Sequence, residues 1–191
     1  MTVPAGLVLA AGAGRRFGMP KALVRYRGSL LVTRAAEVLR AGGCDPVVVV
    51  LGAAAEEVRA RAPLAGCVIV DNPNWPTGMG SSLRVGLGVL GERPAVPAVV
   101  VLPVDMPGVT PNAVRRLVAH SAPGVLAAAS YHGERGHPVL LGREHWAGVR
   151  AAAVGDSGAR EYLRQHELML VQCEDVADGA DADRPEDLPD G

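Results

Sequence analysis

Two stretches of the chain, Val47 to Leu51 and Val99 to Leu102, are apolar at every position instead of alternating with polar residues. A strand with one face in water alternates, whereas a strand apolar throughout has both faces covered, as in a parallel sheet between two layers of helices. Further short runs suited to strands are Leu7 to Ala10, Cys67 to Val70, Val125 to Ala129, Val139 to Leu141 and Leu168 to Cys173. Between them the spacing predicts helices over Leu30 to Arg40, Ala54 to Arg61, Ser82 to Leu90, Pro111 to Ala119 and Gly158 to Gln165. Thr110 followed by Pro111 is a specific start signal, a capping hydroxyl and then proline at the first helical position. This alternation predicts an α/β fold of three layers, doubly wound around a mostly parallel, Rossmann-like sheet. With no linker, repeat or low-complexity segment, residues 1–191 are expected to form a single domain.

Composition removes several classes of function. A net charge of −1, with acids and bases interspersed, offers no field for a polyanion, and six aromatic residues are too few for base-stacking platforms. No nucleic-acid partner is therefore expected. The cysteines Cys44, Cys67 and Cys173 are odd in number and widely spaced, which suits small buried thiols in a reducing compartment better than a disulfide framework or zinc knuckle. No apolar run approaches the roughly 18 residues that would span a bilayer, so no membrane partner is expected. The small apolar stretch from Gly6 to Gly14 is followed, not preceded, by Arg15 and Arg16, the wrong order for a secretory signal. The expected location is the cytoplasm. Of 19 basic residues 18 are arginine, and the sole lysine is Lys21. Compositional bias accounts for the arginines; the position of the remaining lysine calls for a separate reason.

In open parallel sheets ligands lie beyond the carboxyl ends of the strands. Directly after the first strand come Leu9, Ala10, Ala11, Gly12, Ala13, Gly14, Arg15, Arg16 and, after Phe17 to Pro20, Lys21. Tiny residues let the backbone approach a ligand closely, arginines supply fixed positive forks, and lysine supplies a movable point charge. The loop suits a triphosphate site; a flexible turn with incidental arginines would also use these residues. It is not a dinucleotide fingerprint, since Gly12, Gly14 and Gly18 give GxGxxxG and the second strand has no closing acid. Nor is it a Walker loop, because Pro20 precedes Lys21 and Ala22 follows it.

Three further constellations carry chemistry. Gly78-Met79-Gly80-Ser81-Ser82-Leu83 opens a helix, with Ser81 or Ser82 as the natural cap and free amides for an anion or base edge. Asp105 ends a wholly apolar strand, where an acid is either a turn former before Pro107 or a metal ligand. Gly136-His137-Pro138 precedes a strand, with His137 a general base or a hydrogen-bonded structural residue, and Asp156 and Arg160 lie at an expected helix start. On composition alone the acidic, proline-containing segment from Asp181 to Gly191 reads as a frayed tail.

The run LAAGxGxRxGxPK, from Leu9 to Lys21, resembles the signature of nucleotidyltransferases that attach a nucleoside monophosphate to phosphorylated acceptors, and within them the molybdenum cofactor cytidylyltransferases. Phe17 stands where that family usually has Met. Gly78 to Leu83 resembles its GMGxSL motif, Val104 to Pro107 contains its DMP, and Gly136 to Leu141 resembles its GHPVLF. Gly155 to Arg160 matches GDxGAR, and Asp181 to Leu188 resembles DIDTPEDL, with Ala182 and Arg184 departing from it. The resemblance implies a nucleotidyltransferase fold in which Leu9, Ala10, Ala11, Gly12, Gly14, Gly80, Ser81 and Ser82 border the nucleotide, with Ala11 and Gly12 near the base. It implies that Arg16 holds the triphosphate, Lys21 contacts the reacting phosphate, and Asp105 holds Mg²⁺ with Asp183, or else Asp181, as second carboxylate. His137, Asp156 and Arg160 would face the acceptor, and the C-terminal segment would dock instead of fraying.

The expected reaction is direct attack of an acceptor phosphate on the α-phosphorus of CTP, with molybdopterin as acceptor and pyrophosphate as leaving group. No Ser, Cys or Lys has a base at a fixed short spacing that would suggest a covalent intermediate. The alternatives are GTP with molybdopterin, an NTP with a sugar or alcohol phosphate, and a nucleotide-binding partner or chaperone for a molybdenum hydroxylase. Such a hydroxylase would also be the recipient of a finished cofactor.

Overall fold

The computed structural model describes residues 2–189. Met1, Asp190 and Gly191, included in the single-domain and tail expectations, lie outside the described residues. The strands are β1 (Ala5–Ala10), β2 (Arg25–Tyr26), β3 (Ser29–Leu30), β4 (Val47–Leu51), β5 (Val68–Asp71), β6 (Ala98–Pro103), β7 (Leu126–Tyr131), β8 (Glu134–Gly142) and β9 (Met169–Gln172). The helices are α1 (Leu31–Ala41), α2 (Ala55–Arg61), α3 (Met79–Gly91), α4 (Pro111–Val118), α5 (Trp146–Ala152) and α6 (Arg160–Arg164).

Seven strands form one sheet in the order β5-β4-β1-β6-β8-β7-β9, with β8 antiparallel to both its neighbours and the other pairings parallel. The apolar runs behave as their composition requires. Val47, Val49, Leu51, Val100 and Leu102 pack on one face with Leu31, Leu39, Val58, Val114 and Leu117 of α1, α2 and α4. Val48, Val50, Val99 and Val101 pack on the other with Leu83, Leu87, Trp146, Val149 and Leu163 of α3, α5 and α6. Each such Val or Leu contributes about 1.5–3 kcal/mol relative to exposure, on both sides of the same strand. At α4 the Thr110 hydroxyl accepts from Ala113 N at 3.4 Å and donates to Val176 O at 2.8 Å.

The structure departs from the sequence expectations in local ways. Strands β7 and β8 form a hairpin through His132 and Gly133, both at positive φ, the mirror-type turn that matches strand twist. The start of β8 is exposed and polar, which hid it, so His137 lies inside a strand and not before one. Helix α5 and the two-residue pair β2–β3 are additional; α5 is fastened by Trp146 Nε1 donating to Leu141 O at 2.9 Å. Cys44 and Cys173 are buried free thiols, and burial pushes the Cys44 thiol up to about 12. Among the described residues no helix is long and apolar enough to cross a membrane.

Candidate functional site

The parallel strands β5, β1 and β6 end at one edge of the sheet, and the segments that follow them build much of the site. After β1, Gly14 at φ 63° turns the chain, and its carbonyl accepts from Phe17 N at 3.0 Å and Gly18 N at 2.9 Å. A Cβ on Gly14 would lie 1.9 Å from Met19 O, so only glycine closes this loop. Pro20 leads into a single 3₁₀ turn, Lys21–Leu23, whose Ala22 and Leu23 are buried and anchor the Lys21 backbone.

The Lys21 side chain reaches two carboxylates far away in sequence. Its Nζ donates to Asp105 Oδ2 at 2.8 Å and to Asp183 Oδ1 at 2.9 Å. Arg16 Nη1 lies 2.9 Å from Asp183 Oδ2, with 69% of its side chain exposed against 16% for Lys21. Asp181 joins the group: carboxylate oxygens of Asp105, Asp181 and Asp183 lie within 4.8 Å of one another. Burial by itself pulls the Lys21 ammonium down, but hydrogen bonds and charge from Asp105 and Asp183 outweigh it and hold it above its ordinary value. The hydrogen bond from Lys21 holds the Asp183 carboxyl below the usual carboxylate range, against burial and with help from Arg16.

Asp181 and Asp183 are brought here by a docked C-terminal segment. Ala182 is fully buried and its N–H donates to Asp105 O at 2.8 Å. Asp187 Oδ2 accepts from Asp183 N at 3.0 Å and Arg184 N at 2.8 Å, closing a turn over Pro185–Asp187. The frayed-tail reading is therefore wrong for residues 181–189.

The start of α3 also differs from expectation. Ser81 and Ser82 are not its cap; the helix begins at Met79, with Gly78 before it at φ 111°. Asp156, 77 residues later, accepts from Met79 N through Oδ1 at 3.3 Å, so it caps α3 and not a helix of its own. A Cβ on Gly78 would lie 2.5 Å from Gly155 C, and one on Gly80 2.8 Å from Ala153 C. These glycines admit the 153–156 loop. Buried Asn72, at the end of β5, donates through Nδ2 to Ser81 Oγ at 2.8 Å and Ser82 Oγ at 2.9 Å.

Two adjoining cavities result. The larger, about 560 Å³, is lined by Leu9, Ala11, Gly12, Gly14, Arg16, Lys21 and Ser82, together with Asp105, Asp156, Asp181 and Asp183. The smaller, about 330 Å³, is lined by His137, Arg135, Asp156 and Arg160 over apolar walls that include Leu83, Val139 and Leu141. Asp105, Asp156 and Asp181 line both. Three expected residues do not line the larger cavity: Ala10 is packed in the core, and Gly80 and Ser81 are buried against the 153–156 loop and Asn72. Burial pushes the His137 imidazole below its ordinary value, with Arg135 and Arg160 adding and Asp105 and Asp181 opposing, so the neutral ring is favoured. Its carbonyl accepts from Tyr131 OH at 2.7 Å. Sequence reasoning missed Asn72, Trp75, which lines the larger cavity, and Arg135, which lines the smaller; the local signal was their place at or just beyond strand ends.

Residues 6–169 match the MobA-like NTP transferase domain. The chain belongs to this family. Nucleotidyl transfer is accordingly its class of activity. It is 40% identical over 193 residues to a nicotine blue oxidoreductase of Paenarthrobacter nicotinovorans, covering 96% of this chain and 93% of that protein. It is 36% identical over 105 residues to a probable molybdenum cofactor guanylyltransferase of Opitutus terrae, covering 55% of this chain and 49% of that protein. Among solved structures, Rv0371c of Mycobacterium tuberculosis H37Rv superposes with a TM-score of 0.81 at 30% identity, over 97% of this chain and 96% of that one. A second structure of Rv0371c is a complex with manganese, with a TM-score of 0.77 at 28% identity, over 90% of this chain and 88% of that one. The oxygen-only donor set of three clustered aspartates in this transferase fits a hard divalent cation.

Proposed function

We propose that this transferase moves CMP from CTP to the terminal phosphate of molybdopterin in the cytoplasm, forming a cytosine dinucleotide cofactor and pyrophosphate, with Mg²⁺ held by Asp105, Asp181 and Asp183. The observation that carries the reading is the wall shared by the two cavities, where Asp105 and Asp181 face both. A nucleotide in the larger cavity and a phosphorylated acceptor in the smaller one would then meet over these carboxylates.

An acceptor phosphate oxygen forms a bond to the α-phosphorus, the bond from that phosphorus to the bridging oxygen breaks, and pyrophosphate carries the electron pair away. The acceptor is already ionised, so neutral His137 need not remove a proton. The obstacle is repulsion: two unit charges about 4 Å apart repel by roughly 4 kcal/mol at an effective dielectric of 20. When bound, the metal supplies charge neutralisation and polarises the phosphoryl group. Lys21 and Arg16 leave their carboxylates for phosphate oxygens, Lys21 at the α-phosphate and Arg16 on the leaving pyrophosphate. The Ala11–Gly14 backbone and Ser82 border the nucleotide, while Arg160, His137 and Asp156 orient the acceptor.

The choice of cytosine rests on LAAG at Leu9 to Gly12, and the Opitutus terrae relative is named for the guanine reaction. Offering CTP, GTP, ATP and UTP separately with molybdopterin and Mg²⁺, and measuring pyrophosphate, decides the base; release with GTP but not CTP overturns cytosine. A sugar or alcohol phosphate in place of molybdopterin tests the acceptor. No release with any nucleotide, with tight CTP binding retained, would favour a nucleotide-binding partner of a molybdenum hydroxylase. A second reading, oxidation–reduction of nicotine blue, is favoured by the 40% identity to the protein named nicotine blue oxidoreductase. Oxidation of a reduced nicotinamide cofactor in the presence of nicotine blue is its test.

A further inference from the structure

The Lys21 ammonium occupies the place that a cation shared by Asp105 and Asp183 would take. Its nitrogen lies 2.8 Å from one carboxylate and 2.9 Å from the other. Magnesium binds oxygen ligands at about 2.0–2.1 Å, so an ion held by the same two oxygens, Asp105 Oδ2 and Asp183 Oδ1, from the side Lys21 occupies would fall on or beside that nitrogen. Two cations cannot share the space.

The surrounding structure confines the conflict to one side chain. Buried Ala22 and Leu23 fix the backbone at Lys21, and the docked segment fixes Asp183 through Ala182 and Asp187. Among the described residues the ion pair of Arg16 is with Asp183, while Asp105 pairs with Lys21. A lysine on a flexible four-carbon stem can swing, whereas the carboxylates it leaves cannot readily follow.

We propose that Lys21 and the divalent cation are alternative occupants of the Asp105–Asp183 pair. Lys21 holds the two carboxylates together in the free protein and is drawn off by the anionic oxygens of the triphosphate, so metal and nucleotide load together. The inference rests on the reading of Asp105, Asp181 and Asp183 as metal ligands. Its counter-intuitive consequence is that a residue required for transfer opposes binding of the metal alone.

The test titrates Mn²⁺ alone, without nucleotide, into the full chain and into Lys21→Met, following free Mn²⁺ by electron paramagnetic resonance. If the ammonium leaves the carboxylates about a tenth of the time, removing it tightens the apparent Kd about tenfold. Asp105→Asn should weaken binding in both backgrounds. No tightening in Lys21→Met, with Asp105→Asn still weakening both, overturns the alternation and leaves the metal site standing. If Asp105→Asn changes neither, the metal reading itself fails. Because Lys21 is the sole lysine, ¹³Cε-lysine labelling of the unaltered chain gives one lysine side-chain signal and removes dependence on a variant that folds. The signal should move as Mg²⁺ saturates the site. A signal unmoved at saturation overturns the proposal.

Discussion

Asn72 ties the end of β5 to the start of α3, and its loss should register in stability before any assay of turnover. The residue is 1% exposed; Nδ2 donates to two serine hydroxyls at 2.8 and 2.9 Å, and Oδ1 accepts from Asn74 N at 3.0 Å. Asn72→Ala removes three hydrogen bonds in a place water does not reach. At about 1 kcal/mol net for each, the loss is about 3 kcal/mol. For a domain of this size a kcal/mol corresponds to roughly 2–4 °C, so Tm should fall by roughly 6–12 °C. Exposed Asn74 enters the network through its backbone N–H and carbonyl, so Asn74→Ala should stay within about 0.5 kcal/mol of the parent. Thermal and urea denaturation of the three proteins provide the measurement. Nucleotide affinity should also weaken in Asn72→Ala, since Ser82 lines the larger cavity. An Asn72→Ala protein that melts with the parent would refute the reasoning, because it would mean that the serines find other partners at no cost.

The remaining predictions concern the loop, the α3 start and the C-terminal segment. Lys21→Ala should lose on the order of a hundredfold in turnover, as for removal of one transition-state donor. Lys21→Arg should fail comparably, because a bulkier planar fork does not reproduce a compact ammonium close to the α-phosphate; full activity would refute the point-charge role. Gly78→Ala forces a side chain into φ 111° with its Cβ 2.5 Å from Gly155 C, so a loss of about 1–3 kcal/mol in urea unfolding is expected, with weaker nucleotide binding. For pH, Asp183 is depressed on folding, so its contribution is present above the ordinary 3.8 and lost as pH falls through the lower folded value. Lys21 is raised, so its contribution is present below 10.5 and lost as pH rises through the higher folded value. Hydrogen exchange at the Ala182 amide, corrected for intrinsic rate, should therefore show flat protection between these limits; a drop centred near about pH 6–7 would assign the docking to a histidine.

What could be read from the chain alone was whatever local physics dictates. Val47 to Leu51 had to be covered on both faces, Thr110-Pro111 had to start a helix, and the small residues after β1 had to form a close-approach loop ending in the lone lysine. Those demands arise within a few residues, and family resemblance named the carboxylates. Other features depend on partners distant in sequence. Helix α3 starts at Met79 and not at a serine because Asp156 supplies the cap and Asn72 takes the hydroxyls. Gly80 faces Ala153 and not the larger cavity, and His137 became a strand residue through a two-residue turn. Composition by itself misread the tail, because burial of Ala182 and the bond to Asp105 O are tertiary. The sequence by itself determined that a single ammonium would stand at the end of a phosphate-type loop. Only the tertiary structure decided that it faces Asp105 and Asp183, 84 and 162 residues away, because ion pairing acts through space and its geometry depends on the sheet that brings those segments together.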